Sequence, residues 1–108
     1  MKITAAIITY NEERNIHRCL SSLKNIADEI IVLDSNSTDR TKEICLSHKV
    51  KFVSRNWEGY SKSKNYLNSL ATCEYIFSID ADESIDPDLE REILSLKKGL
   101  KESVYSVN

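Results

Sequence analysis

The chain has 108 residues, 41% hydrophobic and 30% charged, with a formal net charge of −2. That is the size of one small domain with enough apolar material for a modest core, which excludes the disordered and fibrous classes. Fifteen basic against seventeen acidic residues leave no cationic excess of the kind that advertises nucleic acid binding.

The hydrophobic period changes repeatedly along the chain, and in a regular order. Ile3 to Thr9 is a β-rich run that reads as a strand buried on both faces. Asn11 is placed to cap a helix, with Glu12 and Glu13 in its first turn, and Ile16, Cys19, Leu20 and Leu23 form its apolar stripe. Glu29 to Leu33 is a second strand that stops at Asp34; SNSTD then leads into a helix from about Thr41 to His48. A short strand, Lys51 to Val53, precedes the loop SRNWEGY and a helix of about Ser61 to Ala71, with Ser63, Tyr66, Leu67 and Leu70 on one face. Tyr75 to Ile79 is the fourth strand. Asp86-Pro87 is a cap plus first-turn proline opening a helix to about Leu100, striped by Leu89, Ile93, Leu96 and Leu100, with Gly99 near its end. Val104 to Val107 begins a further strand.

Strands alternating with helices predict an α/β, Rossmann-like, mostly parallel sheet with right-handed crossovers. No apolar run is long enough to span a bilayer and no signal peptide is evident, so a soluble, intracellular chain is expected. Cys19, Cys45 and Cys73 lie far apart within apolar patterns and read as small buried hydrophobes in a reduced compartment. With Gly59 and Gly99 as the only glycines, neither GxGxxG nor GxxxxGK[ST] can be built.

In such sheets ligands bind at the carboxyl ends of the strands. The polar residues there are Thr9-Tyr10-Asn11-Glu12, Asp34-Ser35-Asn36, Ser54-Arg55 and Asp80-Ala81-Asp82-Glu83. A DxD spacing alone says little, and the chain carries its own control, because Asp86-Pro87-Asp88 has the same spacing and is explained as a helix start. Asp80 and Asp82 instead follow a buried strand, and a carboxylate pair facing phosphate needs a divalent cation between them. Asp34 can accept a hydrogen bond from a base or ribose, or hold Ser37 or Thr38 in the next turn. Lys62 fits a solvated helix face, and His17 and His48 fit the surface or core edge. Trp57 and Tyr60 fit either a lid or a cover for the core.

The stretches IITYNEERNI, DEIIVLDSNSTDRT, RNWEGYSKSKN and ATCEYIFSIDADE, in this order, resemble the nucleotide-binding half of family 2, GT-A-fold glycosyltransferases. Within that family the chain is most similar to bacterial lipopolysaccharide core glucosyltransferases, over Ile3 to Glu83. The resemblance implies that Thr9, Tyr10 and Glu12 line a nucleoside pocket, that Asp34 contacts uracil, and that Ala81 sits in the nucleotide site. It implies that Asp80 bonds ribose or a metal-bound water and that Asp82 ligates Mg²⁺ or Mn²⁺. Lys64, followed by Asn65, stands where many members carry arginine, and lysine lacks arginine's flat bidentate fork.

The implied reaction is metal-dependent, inverting transfer of a sugar, glucose from UDP-glucose, to a glycan or lipid-linked acceptor. The general base is expected beyond Asn108, in an acceptor-binding half absent from this chain, so residues 1–108 are expected to be the donor-binding part of a longer protein. A cytoplasmic location is implied, with lipid-linked acceptors adding peripheral association with the inner face of the membrane. Two rival expectations are a non-catalytic UDP-sugar-binding module and an aspartate-nucleophile phosphohydrolase using Asp80, since Asp80-Ala81-Asp82-Glu83-Ser84 resembles that class's DxDx[TV] signature.

Overall fold

Residues 3–9, apolar toward both faces, are the central thread of a parallel sheet in a computed structural model that describes residues 1–98. The elements run β1 (Ile3–Thr9), α1 (Ile16–Leu23), β2 (Glu29–Asp34), α2 (Thr41–Leu46), β3 (Lys51–Ser54), α3 (Tyr60–Leu70), β4 (Tyr75–Asp80) and α4 (Pro87–Lys97). The four described strands pair in parallel in the order β3-β2-β1-β4. The alternating α/β architecture expected from the sequence is therefore present. The expectations at Gly99, Leu100 and Val104 to Val107 lie outside the described residues.

Side chains alternate across the sheet as the strand period requires. Ile3, Ala5 and Ile7 pack with Ile16, Cys19, Leu20 and Leu23 of α1 and with Ile93 of α4. Ala6 packs the other way, with Ile31, Leu33 and Leu67 of α3. Each large aliphatic side chain removed from water here contributes about 1.5–3 kcal/mol before the entropy of ordering is set against it. Layers on both sides explain why β1 and β2 read as nearly continuous apolar runs.

The chain steps outward from β1 to β2 to β3, then crosses by α3 to the other side of β1 to lay down β4. The strand order thus reverses between β1 and β4, where Ile8 lies opposite Asp80. Such a reversal opens a crevice outside the carboxyl ends of the strands.

One helix start departs from expectation. α1 begins at Ile16, and Asn11 does not cap it: Asn11 has φ 49°, and its Oδ1 accepts from the N–H groups of Thr38 (2.8 Å) and Asp39 (3.3 Å). A left-handed backbone at Asn11 cannot open a right-handed helix, and its side chain is committed across to another loop. Asp86 does cap α4, its Oδ1 accepting from Leu89 N–H at 2.8 Å.

His17 on α1 and His48 after α2 also meet, Nδ1 to Nε2 at 3.1 Å. Burial, then His17 and Lys24 nearby, pushes the His48 pKa below its ordinary value. A base whose folded pKa is depressed prefers to be neutral in the folded state. Its stabilising contribution is full above the unfolded value of 6.5 and is lost as pH falls below it. Thermal melts are expected to drop between neutral and mildly acidic pH in the parent chain, and to drop less in His48→Gln.

Candidate functional site

Three loops leave the carboxyl edge beside β1, and hydrogen bonds knit them together. Asn11 reaches from the β1 loop to the β2 loop, where its own N–H also donates to Ser37 Oγ at 2.8 Å. Asn36 Nδ2 donates to Asn56 Oδ1 at 2.7 Å, joining the β2 and β3 loops. Arg55 N–H donates to the Asp34 carbonyl at 2.9 Å, and the Arg55 guanidinium lies 3.9 Å over the Tyr66 ring. Asn11→Ala removes two acceptances and strains a left-handed backbone, so it is expected to cost about 1–2 kcal/mol; Asn11→Gly, free of the strain, costs about half as much. Chemical denaturation of the two variants separates the contributions.

Two cavities flank the end of β1 and share Ile8. One, of about 630 Å³, is lined by Ile8, Thr9, Tyr10, Glu12, Ser35 and Trp57. The other, of about 440 Å³, brings Lys64 of α3 to Asp80 and Glu83. Thr9 is 3% exposed and its Oγ1 has no hydrogen-bond partner among the described residues. A buried hydroxyl left unpaired costs free energy, and a ligand in the adjoining cavity would supply the missing partner. Glu12 keeps its orientation by accepting from Asn15 Nδ2 at 3.0 Å.

Asp34 is 2% exposed, and both its oxygens accept from Ser37, one from its N–H (2.8 Å) and one from its hydroxyl (2.5 Å). Of the two roles open to it, the structure displays the turn-holding one. Each carboxylate oxygen still has a second lone pair for a ligand.

The acids after β4 form a tight turn. Glu83 N–H donates to the Asp80 carbonyl (2.9 Å), and Asp80 N–H donates back to Glu83 Oε1 (3.1 Å). This folds Glu83 over the strand end, so Asp80 and Glu83 both line the Lys64 cavity. Ala81 is buried, and Asp82 is exposed and lines neither cavity. Asp82 is tied through its main chain, its carbonyl accepting from Arg18 Nη2 of α1 at 3.3 Å. On this edge Glu12, Asp34 and Glu83 accept protein hydrogen bonds, whereas among the described residues the carboxylates of Asp80 and Asp82 accept none.

A hard divalent cation takes oxygen ligands, commonly one or two carboxylates completed by waters and phosphates, and the two exposed, uncommitted aspartates fit that need. Among the described residues no three His, Cys, Asp or Glu side chains converge as a complete protein cage. Cys19 lies beneath the turn, its Sγ 3.7 Å from the Asp80 carbonyl, and burial, reinforced by Cys45, Glu83 and Asp82, pushes its thiol up to about 12.

Several of these roles escaped the sequence. Trp57, 55% exposed, covers no core and walls the cavity it shares with Tyr10. Arg18 sits in an ordinary helical pattern, and only the fold brings it to Asp82. A cavity of about 780 Å³, larger than either above, lies at the opposite, amino edge around Glu29 and Lys51, away from the strand ends where a parallel sheet presents ligands.

Comparison with known proteins agrees with this architecture. A family model described as Glycosyl transferase family 2 matches residues 4–107. An uncharacterized glycosyltransferase of Rickettsia bellii is 46% identical over 92 residues, 85% of this chain and 31% of that protein. The lipopolysaccharide core biosynthesis glycosyltransferase LpsC of Rhizobium meliloti is 35% identical over 99 residues, 87% of this chain and 36% of its own length. Among solved structures, residues 1–349 of S. aureus TarS in complex with UDP-GlcNAc superpose with a TM-score of 0.71 at 26% identity, covering 91% of this chain and 31% of that one. The chain spans about a third of the length of these relatives. A parallel sheet whose order reverses beside a strand-end Asp80-Ala81-Asp82, with the family match running through nearly every described element, leads to one conclusion: the chain belongs to glycosyl transferase family 2.

Proposed function

We propose that this chain is the donor-binding domain of a longer glycosyltransferase that moves a sugar from a UDP-sugar to a glycan or lipid-linked acceptor with inversion. The observation that carries the reading is the pair of uncommitted carboxylates, Asp80 and Asp82, at the strand end where the sheet order reverses. TarS, whose structures are described with UDP and with UDP-GlcNAc, supports a uridine nucleotide as the ligand. The name of LpsC supports an acceptor in the lipopolysaccharide core, and we propose glucose as the sugar to test first.

In this reading Thr9 gives its unpaired hydroxyl to the nucleoside, Tyr10 and Glu12 border it, and Asp34 offers its remaining lone pairs to uracil. Lys64 meets phosphate charge from the α3 side. Asp80 and Asp82 hold Mg²⁺ or Mn²⁺, with Asp80 also within the reach of ribose. The bound cation supplies Lewis-acid stabilisation of the charge that grows on the departing diphosphate. The general base that deprotonates the acceptor hydroxyl is assigned to the part of the relatives' length that this chain does not span. A location on the cytoplasmic face of the membrane follows from a lipid-linked acceptor.

The test is a calorimetric panel of UDP, GDP and CMP sugars, with and without Mn²⁺. Binding confined to UDP-sugars and requiring the cation supports the reading. Equal binding of all three nucleotides, or indifference to the cation, contradicts it. Incubation with labelled UDP-glucose and acceptor is expected to give binding without transfer by this chain.

A further inference from the structure

We infer that Trp57 is the stacking platform for the base of the bound nucleotide, which runs across the sheet edge from Trp57 at the β3 side to the Asp80 turn at the β4 side. The inference rests on the nucleotide reading, orientation included, and adds a base-stacking residue to it.

Four observations converge on it. Trp57 and Tyr10 are large aromatic residues, 55% and 56% exposed, that wall one cavity instead of filling the core. The cavity they line holds about 630 Å³, room for a planar ring beside an aromatic face. Thr9, whose buried hydroxyl has no hydrogen-bond partner among the described residues, lines the same cavity. Finally, the Trp57 loop is held in place before any ligand arrives. Its neighbours Asn56 and Arg55 are bonded to Asn36 and to the Asp34 carbonyl, Arg55 also pairs with Glu58 at 3.3 Å, and Gly59 closes the loop at φ 99°.

The orientation follows from the strand order. Trp57 follows β3, at one edge of the sheet, and Asp80 ends β4, at the other. Three strand spacings separate them, roughly 14 Å, enough for a nucleoside and its diphosphate laid end to end. The diphosphate needs the cation and Lys64, both on the β4 side, so the heterocycle is left for the Trp57 side. Stacking holds any flat ring and adds affinity with little discrimination between bases. Selection of the base therefore falls to hydrogen bonds from the cavity floor.

Trp57 is the single tryptophan of the chain, so its emission reports on this position alone. The parent chain is titrated with UDP, uridine, UDP-glucose and inorganic pyrophosphate in the presence of Mn²⁺, while calorimetry follows binding independently. Emission is expected to quench with UDP, UDP-glucose and, at higher concentration, uridine, and to stay unchanged with pyrophosphate. Trp57→Leu keeps apolar bulk without the aromatic face and should weaken UDP binding by roughly five- to hundredfold, whereas Trp57→Phe stays within a few-fold of the parent. If calorimetry shows UDP binding while emission is silent and Trp57→Leu binds as well as the parent, the inference fails and the nucleotide reading stands. A response to UDP-glucose alone moves Trp57 to the sugar and overturns the orientation. If no nucleotide binds, both fail.

Discussion

Asp82→Ala is expected to weaken cation-dependent binding of a UDP-sugar by about a hundredfold, the scale of losing one direct ligand to a charge-stabilising metal. The same substitution should leave stability within about 0.5 kcal/mol, because Asp82 is exposed and its carboxylate supports no protein group among the described residues. Its tie to Arg18 runs through the main-chain carbonyl and survives the change. The chain provides a matched control six residues later. Asp88 belongs to an identical DxD spacing, is 86% exposed at its side chain and pairs with Arg91 one helical turn on. Asp88→Ala should therefore cost under about 1 kcal/mol of helix stability and leave binding unchanged. Calorimetry and chemical denaturation on both variants give four numbers with one expected pattern: binding falls in the first, stability slips in the second.

The largest effect on folding is expected at Glu29, on the edge of the sheet opposite the site. Glu29 opens β2, and its carboxylate accepts from Thr4 of β1 (2.6 Å), from Lys51 of β3, and from both the N–H (2.9 Å) and the hydroxyl (3.0 Å) of Thr72 before β4. One side chain thus ties the starts of three strands to the approach of the fourth. Burial, the strongest single influence, pushes its pKa up; the hydrogen bonds from Lys51, Thr4 and Thr72 together outweigh it and hold the carboxyl at about 2. A depressed carboxylate contributes stability that is full above its unfolded value of 4.5 and is lost as pH falls toward about 2. Glu29→Ala leaves the Thr4 and Thr72 donors without their acceptor and is expected to cost about 3 kcal/mol at neutral pH, and much less in acid. Lys51→Ala, which removes a partner whose side chain is 57% exposed, should cost under about 1 kcal/mol. Denaturant midpoints at neutral and acidic pH decide both.

Local pattern carried the features that depend on near neighbours. The apolar run of β1, the α1 stripe and the Asp86-Pro87 start of α4 are set by residues within one or two turns, and all are present. Asp34 was legible for the same reason, since its partner Ser37 is three residues away. Features created by long-range contacts were not legible. Asn11 has helix-capping chemistry in sequence, but its actual partners lie 27 and 28 residues on, and the tertiary bonds prevail. Glu29 looked like the polar first residue of a strand, because its donors are scattered at Thr4, Lys51 and Thr72. Trp57 could not be placed from its loop, since only the sheet brings it beside Tyr10. The turn at Asp80 to Glu83 is local, yet its consequence is not: folding Glu83 back puts Asp80 and Glu83 in one cavity and leaves Asp82 outside.

The proposed donor site holds its cation at Asp80 and Asp82 only in company with a nucleotide diphosphate. Paramagnetic broadening by Mn²⁺ of the backbone amide signals of this chain tests it most directly. With UDP present, broadening should centre on residues 80–83 and extend to the end of β1, which lies beside Asp80 in the sheet, while residues 86–88 keep sharp signals. Broadening centred on Asp86 to Asp88, or identical with and without UDP, would rule out a nucleotide-dependent cation at Asp80 and Asp82.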